Sequence, residues 1–146
     1  MPTISRSALV MHSVEQMYSL INDVPAYPKF LADCRDSKIV SSTNNEMTAS
    51  LLVAKAGINQ WFTTKNTLVE NEQVKMNLLD GPFKKLIGCW TLTPLSTGAC
   101  KISLELDYEF SNKIFALAFG RVFNHLANNM VQAFTNRAKE VYSENV

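Results

Sequence analysis

This chain lacks an excess of either charge. Fourteen Lys and Arg stand against thirteen Asp and Glu in 146 residues, a net charge of +1. The strong basic surplus that points to nucleic acid or an anionic membrane is absent, which excludes DNA as an expected partner and gives thin support to ribosomal RNA. Long hydrophobic runs are missing too. No apolar stretch approaches the ~20 residues of a membrane span, so any membrane contact is expected to be transient. The opening MPTISRSALVMHS lacks the basic, then apolar, then small-residue order of a secretion signal. Cysteine occurs three times, as Cys34, Cys89 and Cys100, without CxxC spacing. An odd set of thiols without a leader predicts reduced side chains and a cytoplasmic location.

Chemistry-bearing patterns are equally scarce. The two histidines, His12 and His125, stand apart, and no HxxxH or clustered Asp/Glu/His occurs, so no metal is expected. GxSxG, GxGxxG and P-loop patterns are absent. Glu105, Asp107 and Glu109 resemble paired carboxylates, but a period of two places them on one solvated strand face. No nucleophile, base and orienting group assemble, which predicts no catalytic residues, no enzyme and no cofactor. Linkers, repeats and low-complexity tracts are also lacking, and residues 1–146 read as a single domain.

What is present is alternation, bracketed by helical signals. Thr3 to Met11 reads as a strand, with Leu9 and Met11 on one side and Ile4, Ala8 and Val10 on the other, so both faces are expected to be partly covered. Ser13 and Gln16 have capping-box spacing and open a short helix. Asp23, Pro25 and Pro28 frame a second short helical piece, followed by Phe30 and Leu31. Strand signals then run over 37–42, Glu46 to Ala56, Ile58 to Val69, Val74 to Leu79, Cys89 to Leu95 and on to Phe110. Connections of two to five residues imply antiparallel pairing. Residues 112 to about 142 read as one amphipathic helix of roughly 45 Å. Helices at the ends and strands between them predict an α+β fold, with six or seven strands curling around the long helix.

The expected interior is apolar with few polar points. Phe62, Trp90, Tyr108, Phe115, Phe119, Phe123, Met130 and Phe134 would converge between sheet and helix. Thr64 and Asn66 fall in phase with Phe62. Buried polar groups need partners, so these two either bond to each other and to water or orient a ligand. Phe30 supplies an apolar anchor. Asp80 to Gly88 fits neither period. Its Phe83 and Leu86 flank the basic pair Lys84 and Lys85, and two readings stand side by side: a lid over a pocket mouth, or an edge loop capping the core. Lys84, Lys85, Arg121, Arg137 and Lys139 could form a local basic patch, with Lys84, Lys85 and Arg121 its first candidates.

Four segments carry a family resemblance. Asp23-Val-Pro-Ala-Tyr-Pro-Lys-Phe-Leu31 with Cys34, Phe62-Thr-Thr-Lys-Asn66, Asp80-Gly-Pro-Phe-Lys-Lys-Leu86 with Trp90, and Ala118-Phe-Gly-Arg-Val-Phe123 resemble the coenzyme-Q-binding START-like proteins of the polyketide cyclase and lipid transport family. Ala32 stands where many members have Pro. The resemblance implies a helix-grip fold with a hydrophobic cavity, which would be lined by Phe30, Phe62, Thr64, Asn66, Phe83, Leu86, Trp90, Tyr108, Phe115, Phe119, Phe123 and Met130. It implies non-enzymatic binding of ubiquinone or a related polyprenyl lipid in support of respiration, the first expectation. Other members are described as ribosome-association toxins that bind the large ribosomal subunit and block subunit joining, with Lys84, Lys85 and Arg121 as the possible contact here. A third description, polyketide cyclase or dehydrase, needs an acid or base in the cavity and ranks last.

Overall fold

The computed structural model describes residues 3–55 and 57–142. Strand β1 (Thr3–Val10) is followed by helix α1 (Val14–Asn22) and a 3₁₀ turn (Val24–Lys29). Six strands come next: β2 (Cys34–Ser42), β3 (Glu46–Lys55), β4 (Ile58–Val69), β5 (Gln73–Asp80), β6 (Phe83–Ser96) and β7 (Ala99–Phe110). Helices α2 (Lys113–Ala118) and α3 (Gly120–Tyr142) end the described chain. The strands form one antiparallel sheet in the order β1-β7-β6-β5-β4-β3-β2. The α+β helix-grip architecture expected from the sequence is therefore observed, with seven strands.

Local chemistry sets these elements. The capping box is formed: Gln16 N–H donates to Ser13 Oγ at 3.1 Å, and Ser13 N–H donates to Gln16 Oε1 at 3.0 Å. The apolar face of α1 buries Met17, Leu20 and Ile21. On β3, β4 and β7 alternation divides core from water as expected. Met47, Ala49, Leu51 and Val53 face inward, as do Phe62, Thr64 and Asn66, and Ile102, Leu104, Leu106 and Tyr108. The outer face stays wet, with Lys38 Nζ 5.1 Å above the Trp61 ring.

Four expectations need correction. First, β1 is not covered on both faces: Leu9 and Met11 are 72% and 82% exposed, because no element packs on that side of this edge strand. Second, Asp23 makes no side-chain cap on the 3₁₀ turn. Third, Phe83 to Ile87 is the first part of β6, with a register shift between Phe83 and Lys85 that hid its period. Fourth, the long helix is two helices. The expected strand end at Ala56 lies outside the described residues.

The break between α2 and α3 has a packing cause. Asn112 caps α2 by accepting a bond from Phe115 N–H at 3.0 Å. The helix stops at Phe119, whose ring turns into the core, and Gly120 follows. A Cβ on Gly120 would lie 3.2 Å from the Phe110 ring, so the missing side chain lets Phe110 approach. From there α3 runs 23 residues, roughly 35 Å, across the concave face. It buries Val122, Phe123, Leu126, Ala127, Val131, Phe134 and Ala138.

The sheet also forks. The β5–β6 ladder ends at Asn77 opposite Ile87. Beyond that pair β5 stays with β4 as far as Asp80 opposite Thr63, while β6 stays with β7 as far as Phe83 opposite Phe110. Gly81 closes the fork at φ +145°, and a Cβ there would sit 2.7 Å from Phe62 Cβ. Only glycine suits both that backbone and that approach.

Candidate functional site

A cavity lies between the concave face of the sheet and α3. Phe62, Thr64 and Asn66 of β4, Leu86 and Trp90 of β6, and Phe123 and Met130 of α3 line it. Val24, Tyr27, Ala49, Leu51, Met76, Leu104, Leu106, Leu126 and Ala127 complete the wall. Its volume is about 50 Å³. One ordered water needs ~10–15 Å³ by this kind of measure, and pockets for small organic ligands span ~300–1,000 Å³. In this conformation the cavity has room for a few waters.

Its polar chemistry is sparse. Thr64 Oγ1 donates to Asn66 Oδ1 at 2.8 Å, and both residues are buried. The Asn66 amide nitrogen has no hydrogen-bond partner among the described residues, which leaves a donor at the wall. Tyr27 donates its hydroxyl to the Ile21 carbonyl oxygen, and burial raises its pKa. No carboxylate or imidazole is in the wall. Among the described residues no group of three or more His, Cys, Asp or Glu could hold a metal ion.

The other ligand-binding candidates sit outside the wall. Phe83 is an aromatic hub beside the cavity. Its ring meets Phe62 at 5.8 Å, Tyr108 at 6.3 Å, Phe110 at 5.3 Å, Phe119 at 5.8 Å and Phe123 at 4.9 Å. Phe83 and Phe119 thus belong to a filled aromatic plug against the cavity-lining Phe62 and Phe123. Tyr108 donates its hydroxyl to Asn124 Oδ1, and burial raises its pKa. Phe30 is half-buried at the far side, 5.1 Å from Phe134 and under the Arg137 guanidinium. Phe115 is half-buried on α2, a helix with no buried residue. Its expected inward direction fails because α2 stops before it reaches the concave face.

The basic candidates are not one free patch. Lys84 Nζ lies 3.5 Å from Glu109, and Lys85 is the register partner of Glu109. Arg121 is exposed on α3. His125 binds a carboxylate: its Nδ1 is 3.1 Å from Asp33 Oδ2, and Lys55 approaches the same side chain at 3.9 Å. Asp33 holds φ +70° in the loop before β2, so this contact ties α3 to the sheet edge.

Some wall residues had a legible signal. Ala49, Leu51, Leu104 and Leu106 follow from alternation on β3 and β7. Val24 and Tyr27 had none, because a 3₁₀ turn with two prolines has no helical period.

A curved sheet closed by one long helix over a small apolar cavity defines a START-like helix-grip protein. The chain belongs to the family described as polyketide cyclase / dehydrase and lipid transport, whose sequence profile matches residues 10–135. It is 62% identical over 143 residues to "Ribosome association toxin RatA" of Escherichia coli (strain K12), covering 98% of this chain and 90% of that protein. It is 27% identical over 141 residues to "Coenzyme Q-binding protein coq10, mitochondrial" of Schizosaccharomyces pombe, covering 91% and 84%. Among solved structures, a START superfamily protein from Mycobacterium smegmatis superposes with a TM-score of 0.78 at 21% identity, covering 95% and 98%.

Proposed function

We propose that this chain is a non-enzymatic, cytoplasmic ribosome-association protein that binds the large ribosomal subunit and blocks its joining to the small one. The observation that carries this reading is 62% identity to a ribosome association toxin across 98% of the chain. The cavity supports the order of the readings. At about 50 Å³ it is too small for a quinone ring in this conformation, which moves the ribosomal reading ahead of the lipid one. A cyclase or dehydratase needs an acid or base at the reacting carbon. The wall offers Thr64, Asn66 and Tyr27, all weak acids at neutral pH, so that reading is not advanced. The test is sedimentation of purified protein with separated ribosomal subunits at low salt. Migration with the large subunit is expected, and recovery only at the top of the gradient overturns the reading.

A second reading rests on Asn66. The Asn66 amide nitrogen, left free by the Thr64 bond at a wall shared with Phe62, Trp90 and Phe123, suits the carbonyl oxygen of an apolar ligand such as ubiquinone. Kinship with a coenzyme Q-binding protein adds weight. Extraction of co-purified lipid, followed by titration with a short-chain ubiquinone, tests this reading. Quenching of Trp90 fluorescence by ubiquinone in the wild type, and its loss in Phe123→Asp, is expected; no bound lipid and no quenching removes the reading.

A further inference from the structure

A second concavity lies along α3. It runs between α3 and the segment that follows the 3₁₀ turn, with a volume of about 360 Å³. Phe30 and Leu31 form part of its floor, and Lys29, Asn129, Asn136 and Arg137 stand along it. Unlike the core cavity it is rich in polar side chains and open to solvent.

Arg137 is the singular residue there. Its guanidinium carbon lies 5.4 Å from the centre of the Phe30 ring, so the cation sits over an aromatic face. Its Nε is the single buried side-chain nitrogen or oxygen without a hydrogen-bond partner among the described residues. Its Nη1 reaches only Glu140, at 3.9 Å, and Glu140 is 65% exposed. An arginine held this way carries an unmade hydrogen bond and a weak, screened ion pair. An acceptor that draws the fork outward relieves the first and competes easily with the second.

The surroundings specify the acceptor. Lys29 is exposed and has no ion pair among the described residues. Gln132 Nε2 donates to Asn136 Oδ1 at 3.0 Å, which turns the Asn136 amide nitrogen into a free donor. Two cations and amide donors along a groove match the phosphate and ribose oxygens of a nucleic acid backbone. The Arg137–Phe30 stack is a platform of the kind used for unstacked RNA bases. One carboxylate, Glu140, lines the groove, and a second, Asp33, stands beside it, 3.1 Å from the lining His125 and 3.9 Å from Lys55. We propose that this groove binds an RNA phosphodiester through Arg137 and Lys29, and that it, not the Lys84–Lys85–Arg121 set, is the face presented to ribosomal RNA. The ribosomal part of this inference rests on the function proposed above; the RNA part does not.

Two assays separate those parts. The first is co-sedimentation with purified large subunits, and the second is filter binding to protein-free large-subunit ribosomal RNA, both across a salt series. Wild type is expected in both complexes. Arg137→Gln and Lys29→Gln are each expected to weaken binding about tenfold and to lower the slope of log K against log salt by about one. Arg137→Lys keeps the charge but loses the fork, and is expected to recover only part. Lys101→Gln, on the exposed side of β7, is the charge-matched control and is expected to bind as wild type. Lys29 is exposed, so its variant reports on binding even if the Arg137 variants lose stability. Wild-type affinity in both the Lys29→Gln and Arg137→Gln variants overturns the groove. So does a loss confined to Lys84→Gln, Lys85→Gln or Arg121→Gln. Subunit binding that depends on Arg137, with no binding to free RNA, overturns the RNA occupant in favour of an acidic ribosomal protein. RNA binding through Arg137 without subunit binding overturns the proposed function and keeps the groove. Binding to neither overturns both.

Discussion

Thr64 and Asn66 show how two polar residues are afforded in an apolar wall. They are 5% and 7% exposed, and one hydrogen bond between them satisfies the Thr64 hydroxyl and the Asn66 carbonyl. Thr64→Val keeps the shape and orphans that carbonyl, so a loss of about 1–3 kcal/mol is expected in urea unfolding. Thr64→Val combined with Asn66→Leu removes both partners and is expected to cost less than the two single changes summed. Additive costs would show that the pair is not a coupled unit. Cys34 makes a second residue-scale prediction. Burial, then the negative charge of Asp36, pushes its thiol up to about 12 from an ordinary 9.0. Burial raises Cys100 and Tyr27 as well. For Cys34 the neutral form is favoured in the fold, so its contribution is complete below pH ~9, where the unfolded thiol is still protonated. As pH rises from ~9 towards ~12 the unfolded thiol ionises and the folded one does not, so stability falls. Each fully shifted group contributes a slope of about 1.4 kcal/mol per pH unit. Urea midpoints at pH 8 and pH 10.5 check this: a lower midpoint at pH 10.5 is expected, with a smaller fall in Cys34→Ala. Equal midpoints would sink it.

At the scale of elements, the division of labour within the C-terminal helical region is clear. Helix α2 buries no residue, and its Ile114 and Leu117 are 76% and 83% exposed, whereas α3 buries eight residues over 23. Amide hydrogen exchange is expected to be fast throughout α2 and slowest from Val122 to Ala138. Equal protection along both helices would contradict the docking described here. The turn at the fork gives a companion prediction: Gly81→Ala must hold φ +145° and place a Cβ against Phe62, so a loss exceeding about 1 kcal/mol is expected in thermal unfolding. These elements also mark what was legible in the sequence. Strict alternation on β4 and β7 and the 3–4 spacing of Phe123, Leu126 and Phe134 are direct consequences of burying one face, so the architecture and half of the cavity wall could be read. The split at Phe119 could not, because an apolar stripe continues through it and only the contact of Gly120 with Phe110 reveals the break. Phe83 was misread as loop because a bulge adds one residue and erases the period of two. Tyr108 and Phe115 were grouped with the wall because period reports which face a residue is on, not how far along the helix or sheet the cavity extends; Phe30 follows a turn without a period.

For the whole molecule, the small core cavity and the polar groove point to different jobs for two surfaces that α3 helps to line. One side completes a tight aromatic core around about 50 Å³ of space. The other presents Lys29, and Arg137 over Phe30, in a groove of about 360 Å³. A near-neutral chain of net charge +1 can bind a polyanion only through such a local arrangement, so its affinity is expected to fall with salt along a shallow slope set by a few contacts. No helix of the structure is long and apolar enough to cross a membrane, and the ribosomal reading requires none. The central claim concerns subunit joining, and light scattering measures it directly. Separated large and small subunits are mixed in joining buffer with increasing amounts of purified protein. The account predicts that the rise in scattering is suppressed as the protein reaches equivalence with the large subunit, and that Arg137→Gln needs about tenfold more protein to do the same. A full scattering rise at a large excess of correctly folded wild-type protein would contradict it.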